Sequence, residues 1–277
     1  MNGTLEKCIL RWAGGKTWFI KELHGFLPCT FNDYHEPFFG GGSVFFNLKP
    51  KGKSYLSDSN ADLMSAYCQI RDDVDAVIHI LRQFKNTEEQ YYQIRGTRFH
   101  TLAEKAAQFI YLNRTSFNGI YRVNLNGVYN VPYGFKNYEQ LFDFDRLRKI
   151  SDLLKPAILS SGDFEVALEH VREGDLVFLD PPYTVSRNKN GFIKYNEKLF
   201  SWKDQIRLAS FIEEVHNRGA YYILTNAKHD SVKELFGRLN DPISVSRPSV
   251  VGGTKAKRGT VEEYVFANTV KGGRSWE

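Results

Sequence analysis

The sequence predicts an α/β protein: a doubly wound, mostly parallel sheet in two sequence pieces, 1–60 and 147–277, with a mainly helical module, 61–146, inserted between them. Three observations predict it. Strand-sized apolar runs alternate with helix-period segments at both ends of the 277-residue chain, the order that parallel sheets with crossover helices produce. Between these ends the strand rhythm stops and apolar residues recur at helical spacing. A glycine cluster follows the first strand and acids close the second strand and a later one, at the sheet edge where such folds bind ligands.

The first strand ends at about His35 to Pro37, the glycines of EPFFGGGSVFF turn the chain, and Ser43 to Leu48 opens a helix. SYLSDSN is a second strand running into acidic and turn residues at Asp58. From Ala61 to about Phe109, the residues Leu63, Tyr67, Ile70, Val74, Val77, Ile78 and Leu81 mark an apolar helical face. Alternation resumes near Lys155, with AILSS as strand, DFEVALEHV as helix and DLVFLD as strand. KDQIRLASFIEEVHNR is a helix stopped by Gly219, AYYILTN a strand, DSVKELFGRL a helix, and ISVSR and EEYVFAN the last two strands.

With 42% hydrophobic residues the chain can bury one substantial core and a smaller module. A formal net charge of +5 and a pI near 8.9 suit a polyanionic partner. Cys8, Cys29 and Cys68 lack the paired spacing of a zinc site or a disulfide framework. No metal is expected, and they read as reduced residues of a cytoplasmic protein. MNGTLEKC holds no apolar signal core, and runs such as GAYYILT are too short to span a bilayer, so no membrane role is expected. RWAGGKT ends like a phosphate loop, but the pattern G-x-x-x-x-G-K-[ST] needs glycine where Leu10 stands, which speaks against an ATPase.

DLVFLDPPYTVS is the most informative stretch. Apolar residues deliver Asp180 to the lip of a buried strand, and Pro181 and Pro182 offer no N–H. The Asp180 carboxylate and the Pro181 carbonyl make an edge of acceptors suited to an exocyclic amine with two hydrogens to donate. Tyr183 adds a ring face on which a planar base can stack. Asp-Pro-Pro can also simply end a strand, with Tyr183 as packing. Position favours the functional reading: a glycine turn after one strand and Asp58 at the end of the next is a pattern for holding a nucleoside. S-adenosylmethionine fits that pattern without a pyrophosphate.

The set RWAGGK, EPFFGGGSVFFNL, LSDSNADL, NRTSFNGIYRVNLNGVYNVPYG and LDPPY, in this order and across nearly the whole chain, resembles the Dam-type family of DNA adenine-N6 methyltransferases. The resemblance implies that Trp12, Lys16, Asp58 and Asp180 contact the methyl donor and that Phe39, Gly40 and Gly42 form its glycine loop. Lys16 would attract the donor's carboxylate. Asp163 and Phe164, in SGDF, are either a helix opening or a contact with the donor's adenine. Asp180 and the Pro181 carbonyl would draw the adenine amine toward tetrahedral geometry, and the target base would be flipped out and stacked on Tyr183. A methyltransferase acting on RNA bases and a DNA-binding protein without catalysis are the competing classes.

Residues Asn113 to Tyr138 are rich in Asn, Arg, Tyr and Gly with few acids, and Gly119, Gly127 and Gly134 predict a hairpin. Asn and Arg match adenine and guanine edges in the major groove of double-stranded DNA. The resemblance implies Arg122 as a guanine reader, Asn118 and Ile120 at neighbouring positions, Pro132 against a thymine methyl, and Arg11 for an outer base. It also implies GATC as the target, which a monomer meets in either orientation. GGTKAKRGT concentrates Lys255, Lys257 and Arg258 between two strands, a loop suited to phosphates.

Overall fold

The computed structural model describes residues 5–124, 126–184, 200–248 and 260–269. Seven strands, β1 (Tyr34–Glu36), β2 (Ser54–Asp58), β3 (Ala157–Ser161), β4 (Leu176–Leu179), β5 (Tyr221–Ala227), β6 (Ile243–Pro248) and β7 (Thr260–Ala267), form one sheet in the order β3-β2-β1-β4-β5-β7-β6. β4 pairs in parallel with β1 and β5, while β7 runs antiparallel to both β5 and β6. Every residue of β4, LVFL, is buried, as a strand covered on both faces requires. The edge strand β3 alternates instead and leaves three of its five residues exposed.

Among the described residues the α-helices are α1 (Ile20–Leu23), α2 (Ser43–Leu48), α3 (Ala61–Asp72), α4 (Val74–Leu81), α5 (Glu88–Gly96), α6 (Leu102–Thr115), α7 (Phe144–Leu154), α8 (Trp202–Asn217) and α9 (Asp230–Phe236). The chain divides into two compact units. One comprises Met1–Thr17, Phe39–Lys49 and Leu56–Asp163, the other Trp18–Phe38, Pro50–Tyr55 and Phe164–Glu277.

Helices α3 to α7 build the core of the first unit. Leu63, Tyr67 and Ile70 of α3 are buried, as are Val77, Ile78 and Leu81 of α4. The periodicity that reads as one long helical stretch is cut where side chains cap new helices. Asp73, in a non-helical conformation, ends α3 and accepts from the Ala76 N–H, while Thr87 accepts from Gln90 and Thr101 closes a capping box with Glu104. Asp143 caps α7, so the expected end of the insertion at Arg146 falls in the first turn of a helix.

The second unit packs Val177 and Leu179 of β4, Leu208 and Phe211 of α8, Tyr222 and Leu224 of β5, and Phe266 of β7 into one cluster. Ser201 and Asp204 form the capping box that starts α8. DFEVALEHV departs from expectation: it forms only a 3-10 helix, Phe164–Glu169. Phe164 is its one buried residue, Ala167 and Leu168 pack partly buried against the same core, and Val166 is exposed. Among the described residues no helix is long and apolar enough to cross a membrane, and no group of three or more His, Cys, Asp or Glu residues could hold a metal ion. Lys255, Lys257 and Arg258 lie outside the described residues.

Candidate active site

In the first unit the glycine turn is shaped by what lies against it. Gly40 and Gly42 have φ of 48° and 69°, left-handed values that glycine adopts without a Cβ penalty. A Cβ on Gly40 would stand 2.7 Å from Cδ1 of Trp12, so the indole can lie on the turn only because the side chain is missing. A Cβ on Gly42 would meet Phe46 at 2.5 Å. Asp58 clamps the turn to the end of β2: Oδ2 accepts from the Gly40 N–H and Oδ1 from the Asn60 N–H, both at 2.9 Å. Burial raises the Asp58 pKa despite the opposing effect of these two bonds.

Lys16 is not the solvated surface charge that a lysine after glycines can be, since it is 3% exposed. Its ammonium donates to the Gly14 carbonyl at 2.9 Å and its backbone N–H to Ser43 Oγ at 3.0 Å. The Phe39 ring packs edge-on against Phe45, Phe46 and Tyr67 and also lies against the turn, where a Cβ on Gly42 would come within 2.7 Å of its Cζ. Asp163 is exposed.

The same unit carries the expected reader hairpin. Isolated bridges Ser116↔Tyr133 and Val123↔Tyr129 hold it, and Asn124 Oδ1 accepts the N–H groups of Asn126 and Val128 at its tip, where Gly127 has a φ of 74°. Asn118, Ile120, Arg122 and Pro132 are all exposed on it. Arg122 Nε donates to Asn130 Oδ1 at 2.7 Å and its Nη2 to the Asn130 carbonyl at 3.3 Å, which together set the direction of the guanidinium. Arg11 belongs to this cluster: the Asn113 amide accepts the Arg11 N–H and donates to its carbonyl, both at 2.8 Å. A Cβ on Gly119 would come within 2.5 Å of Arg11 Cδ, so the Arg11 side chain crosses the hairpin base beside Asn118 and Ile120.

In the second unit Asp180 follows β4, and its Oδ1 accepts from Thr225 Oγ1 of β5 at 2.9 Å. Gln205, fully buried on α8, donates to Thr184 Oγ1 at 2.9 Å and to the Pro182 carbonyl at 3.4 Å, and accepts from Asn226 at 3.1 Å. The Tyr183 hydroxyl donates to Glu263 Oε2 at 2.6 Å, and Glu263 is ion-paired with Arg247. Phe164 is 4% exposed, with its ring against Phe38, Phe200 and Phe211 and the Arg207 guanidinium over it. Its first role is therefore packing.

Sequence reading passed over Asn113, Thr225, Gln205, Asn226, Glu263 and Arg247. The signal available for some of them was polarity out of place: Thr225 and Asn226 in YYILTNA and Glu263 in EEYVFA are polar residues inside strands. A buried polar group needs a partner, so such residues report on something they hold.

A mostly parallel sheet in the order β3-β2-β1-β4-β5-β7-β6, with an acid ending β2 and Asp-Pro-Pro-Tyr following β4, is consistent with the α/β fold of the S-adenosylmethionine-dependent methyltransferases. Residues 12–247 match the family model of the D12 class N6 adenine-specific DNA methyltransferases, and the chain belongs to that family. Similar proteins span nearly the full length. The Type II methyltransferase M1.LlaDCHI of Lactococcus lactis subsp. cremoris is 32% identical over 269 residues, 93% of this chain and 94% of that protein. The Type II methyltransferase M.MjaIII of Methanocaldococcus jannaschii is 35% identical over 263 residues, covering 87% and 90%. The DNA adenine methylase of Escherichia coli (strain K12) is 29% identical over 265 residues, covering 91% and 92%. The protein is thus an enzyme, a DNA (adenine-N6)-methyltransferase.

Proposed function

We propose that this enzyme transfers a methyl group from S-adenosylmethionine to N6 of an adenine flipped out of duplex DNA, within the sequence GATC. The observation that carries the reading is the Asp180 carboxylate at the end of β4, oriented by Thr225 and followed by two residues without N–H donors. The chemistry of the donor-side residues fits S-adenosylmethionine. The buried Lys16 ammonium suits its carboxylate, and Asp58, whose oxygens each retain a lone pair after accepting one backbone N–H, suits ribose hydroxyls. Trp12, the backbone of Phe39, Gly40 and Gly42, Asp163, Phe164 and Asp180 complete the donor set. When bound, S-adenosylmethionine supplies an activated methyl group on a sulfonium.

The lone pair of the adenine amine is delocalised into the ring, which makes the nitrogen a poor nucleophile. Asp180 and the Pro181 carbonyl accept its two hydrogens and localise that pair, while Tyr183 holds the ring plane. Acceptors fixed before the reaction stabilise the charge that develops on nitrogen, which is preorganised electrostatic catalysis. The amine is out of reach inside a duplex, so the base is flipped. Residues 61–146 act as the recognition domain within a catalytic domain of 1–60 and 147–277. Arg11, Asn118, Ile120, Arg122 and Pro132 read the site, and Lys257 and Arg258 bind phosphates. The enzyme acts as a monomer, one strand of the palindrome per event.

Sequencing of methylated positions in DNA treated with the wild type and with Asp180→Ala tests this. N6-methyladenine should concentrate in GATC for the wild type and be lost in the variant, with S-adenosylmethionine binding only partly weakened. Methylation without GATC enrichment overturns the target, and near-normal turnover by Asp180→Ala overturns the site.

A further inference from the structure

A stacking face needs a ring and no hydroxyl, yet the Tyr183 hydroxyl is engaged in one of the short hydrogen bonds of the second unit, 2.6 Å to Glu263 Oε2. Glu263 lies inside β7, opposite Ala227 of β5 and Val245 of β6, and is 2% exposed. Its other oxygen takes Arg247 Nε of β6, and the Arg247 guanidinium also lies 5.9 Å from the centre of the Trp18 ring. A buried carboxylate on a sheet strand is unfavourable unless it is paired and hydrogen-bonded. Nearby positions of the same strand are filled by Val265 and Phe266, so the acid is not what packing asks for.

We infer that Glu263, backed by Arg247, is a positioning residue for methyl transfer: through the Tyr183 hydroxyl it holds in place the ring on which the target adenine stacks. The inference rests on the proposed role of Tyr183 as that stacking face. The phenol oxygen lies on the axis about which the ring turns, so its bond to Glu263 fixes the direction of that axis, and because a phenol O–H prefers the plane of its own ring, a fixed acceptor also favours one orientation of the ring. Burial, with Asp180 and Glu263 close by, holds the Tyr183 pKa well above its ordinary value, so the hydroxyl remains a donor across the working pH range. The ion pair with Arg247 keeps the acid in place and leaves its second oxygen for the phenol.

Steady-state kinetics on a GATC duplex with the full-length wild type, Tyr183→Phe, Glu263→Gln and the double variant test the inference, with Asp180→Ala as the control. Each single variant should lower kcat roughly tenfold with KM for S-adenosylmethionine unchanged, since a charge-assisted hydrogen bond is lost from the target side alone. The double variant should be no slower than Tyr183→Phe, because once the hydroxyl is gone Glu263 has nothing to position. A Glu263→Gln effect of the same size in both backgrounds would show a purely structural ion pair and overturn the inference. Wild-type kcat in Tyr183→Phe would overturn it by itself, even where Glu263→Gln does not fold. An active Asp180→Ala instead overturns the site assignment. An inactive Asp180→Ala beside unimpaired Tyr183→Phe and Glu263→Gln rejects the anchor alone.

Discussion

Asp58 and Asp180 close β2 and β4, and their partners give them different work. Asp58 accepts two backbone N–H groups and so shapes the glycine turn, whereas Asp180 accepts a hydroxyl and is itself oriented. An amide keeps one acceptor where a carboxylate has two, so Asp58→Asn should weaken S-adenosylmethionine binding by about tenfold, roughly the loss of one hydrogen bond to a charged group. Calorimetric titration would measure it, and unchanged affinity would reject the donor role. His35 gives a pH prediction. It is fully buried on β1, with Nε2 bonded to Asp175 at 2.9 Å, and burial lowers its pKa against the raising effect of Asp175. The unfolded chain therefore takes up a proton near about pH 6.5 that the native protein refuses, and stability should fall as pH drops below that value. The urea midpoint should be lower at about pH 5.5 than at about pH 7.5, with the difference reduced in His35→Gln. An equal difference in the variant would assign the effect to other groups.

At the scale of elements, the hairpin and the helix starts show side chains deciding backbone shape. Gly119, Gly127 and Gly134 mark the hairpin in the sequence, and the first two take the left-handed φ that such turns need. Gly134 has another reason: a Cβ there would lie 2.6 Å from the Ser116 carbonyl. No local pattern announces that Asn130 parks Arg122, or that Asn113 pins Arg11 across 102 residues of sequence. Arg122 sets its Nε edge against Asn130, and under the proposed reading the outer edge of its guanidinium meets a base. Arg122→Ala should therefore cost about 1–3 kcal/mol of discrimination and relax the preference at one guanine. Sites methylated by that variant should spread to sequences altered at one base pair, and unchanged selectivity would reject Arg122 as the reader. Asn130→Ala should give a milder version of the same loss.

For the whole molecule, a net charge of +5 is modest, so affinity for DNA depends on where the cations sit. The sequence places Lys257 close to Lys255 and Arg258, and under the proposed phosphate role Lys257→Ala should weaken all duplexes alike and flatten the salt dependence of binding by about one unit of slope. A change confined to GATC duplexes would reject the phosphate role. The sequence by itself determined the alternation of strands and helices, the glycine turn and the chemistry of Asp-Pro-Pro-Tyr. Each of these is local: apolar period, backbone freedom and missing N–H groups are properties of neighbouring residues. Only the tertiary structure decided that DFEVALEHV is a 3-10 helix and not an α-helix, that the Phe39 and Phe164 rings belong to cores, and that Thr225 and Glu263 hold Asp180 and Tyr183. Those outcomes depend on which strands lie side by side. Thr225 is 45 residues from Asp180 and Glu263 is 80 from Tyr183, and sheet pairing, not chain order, brings each hydroxyl to its carboxylate.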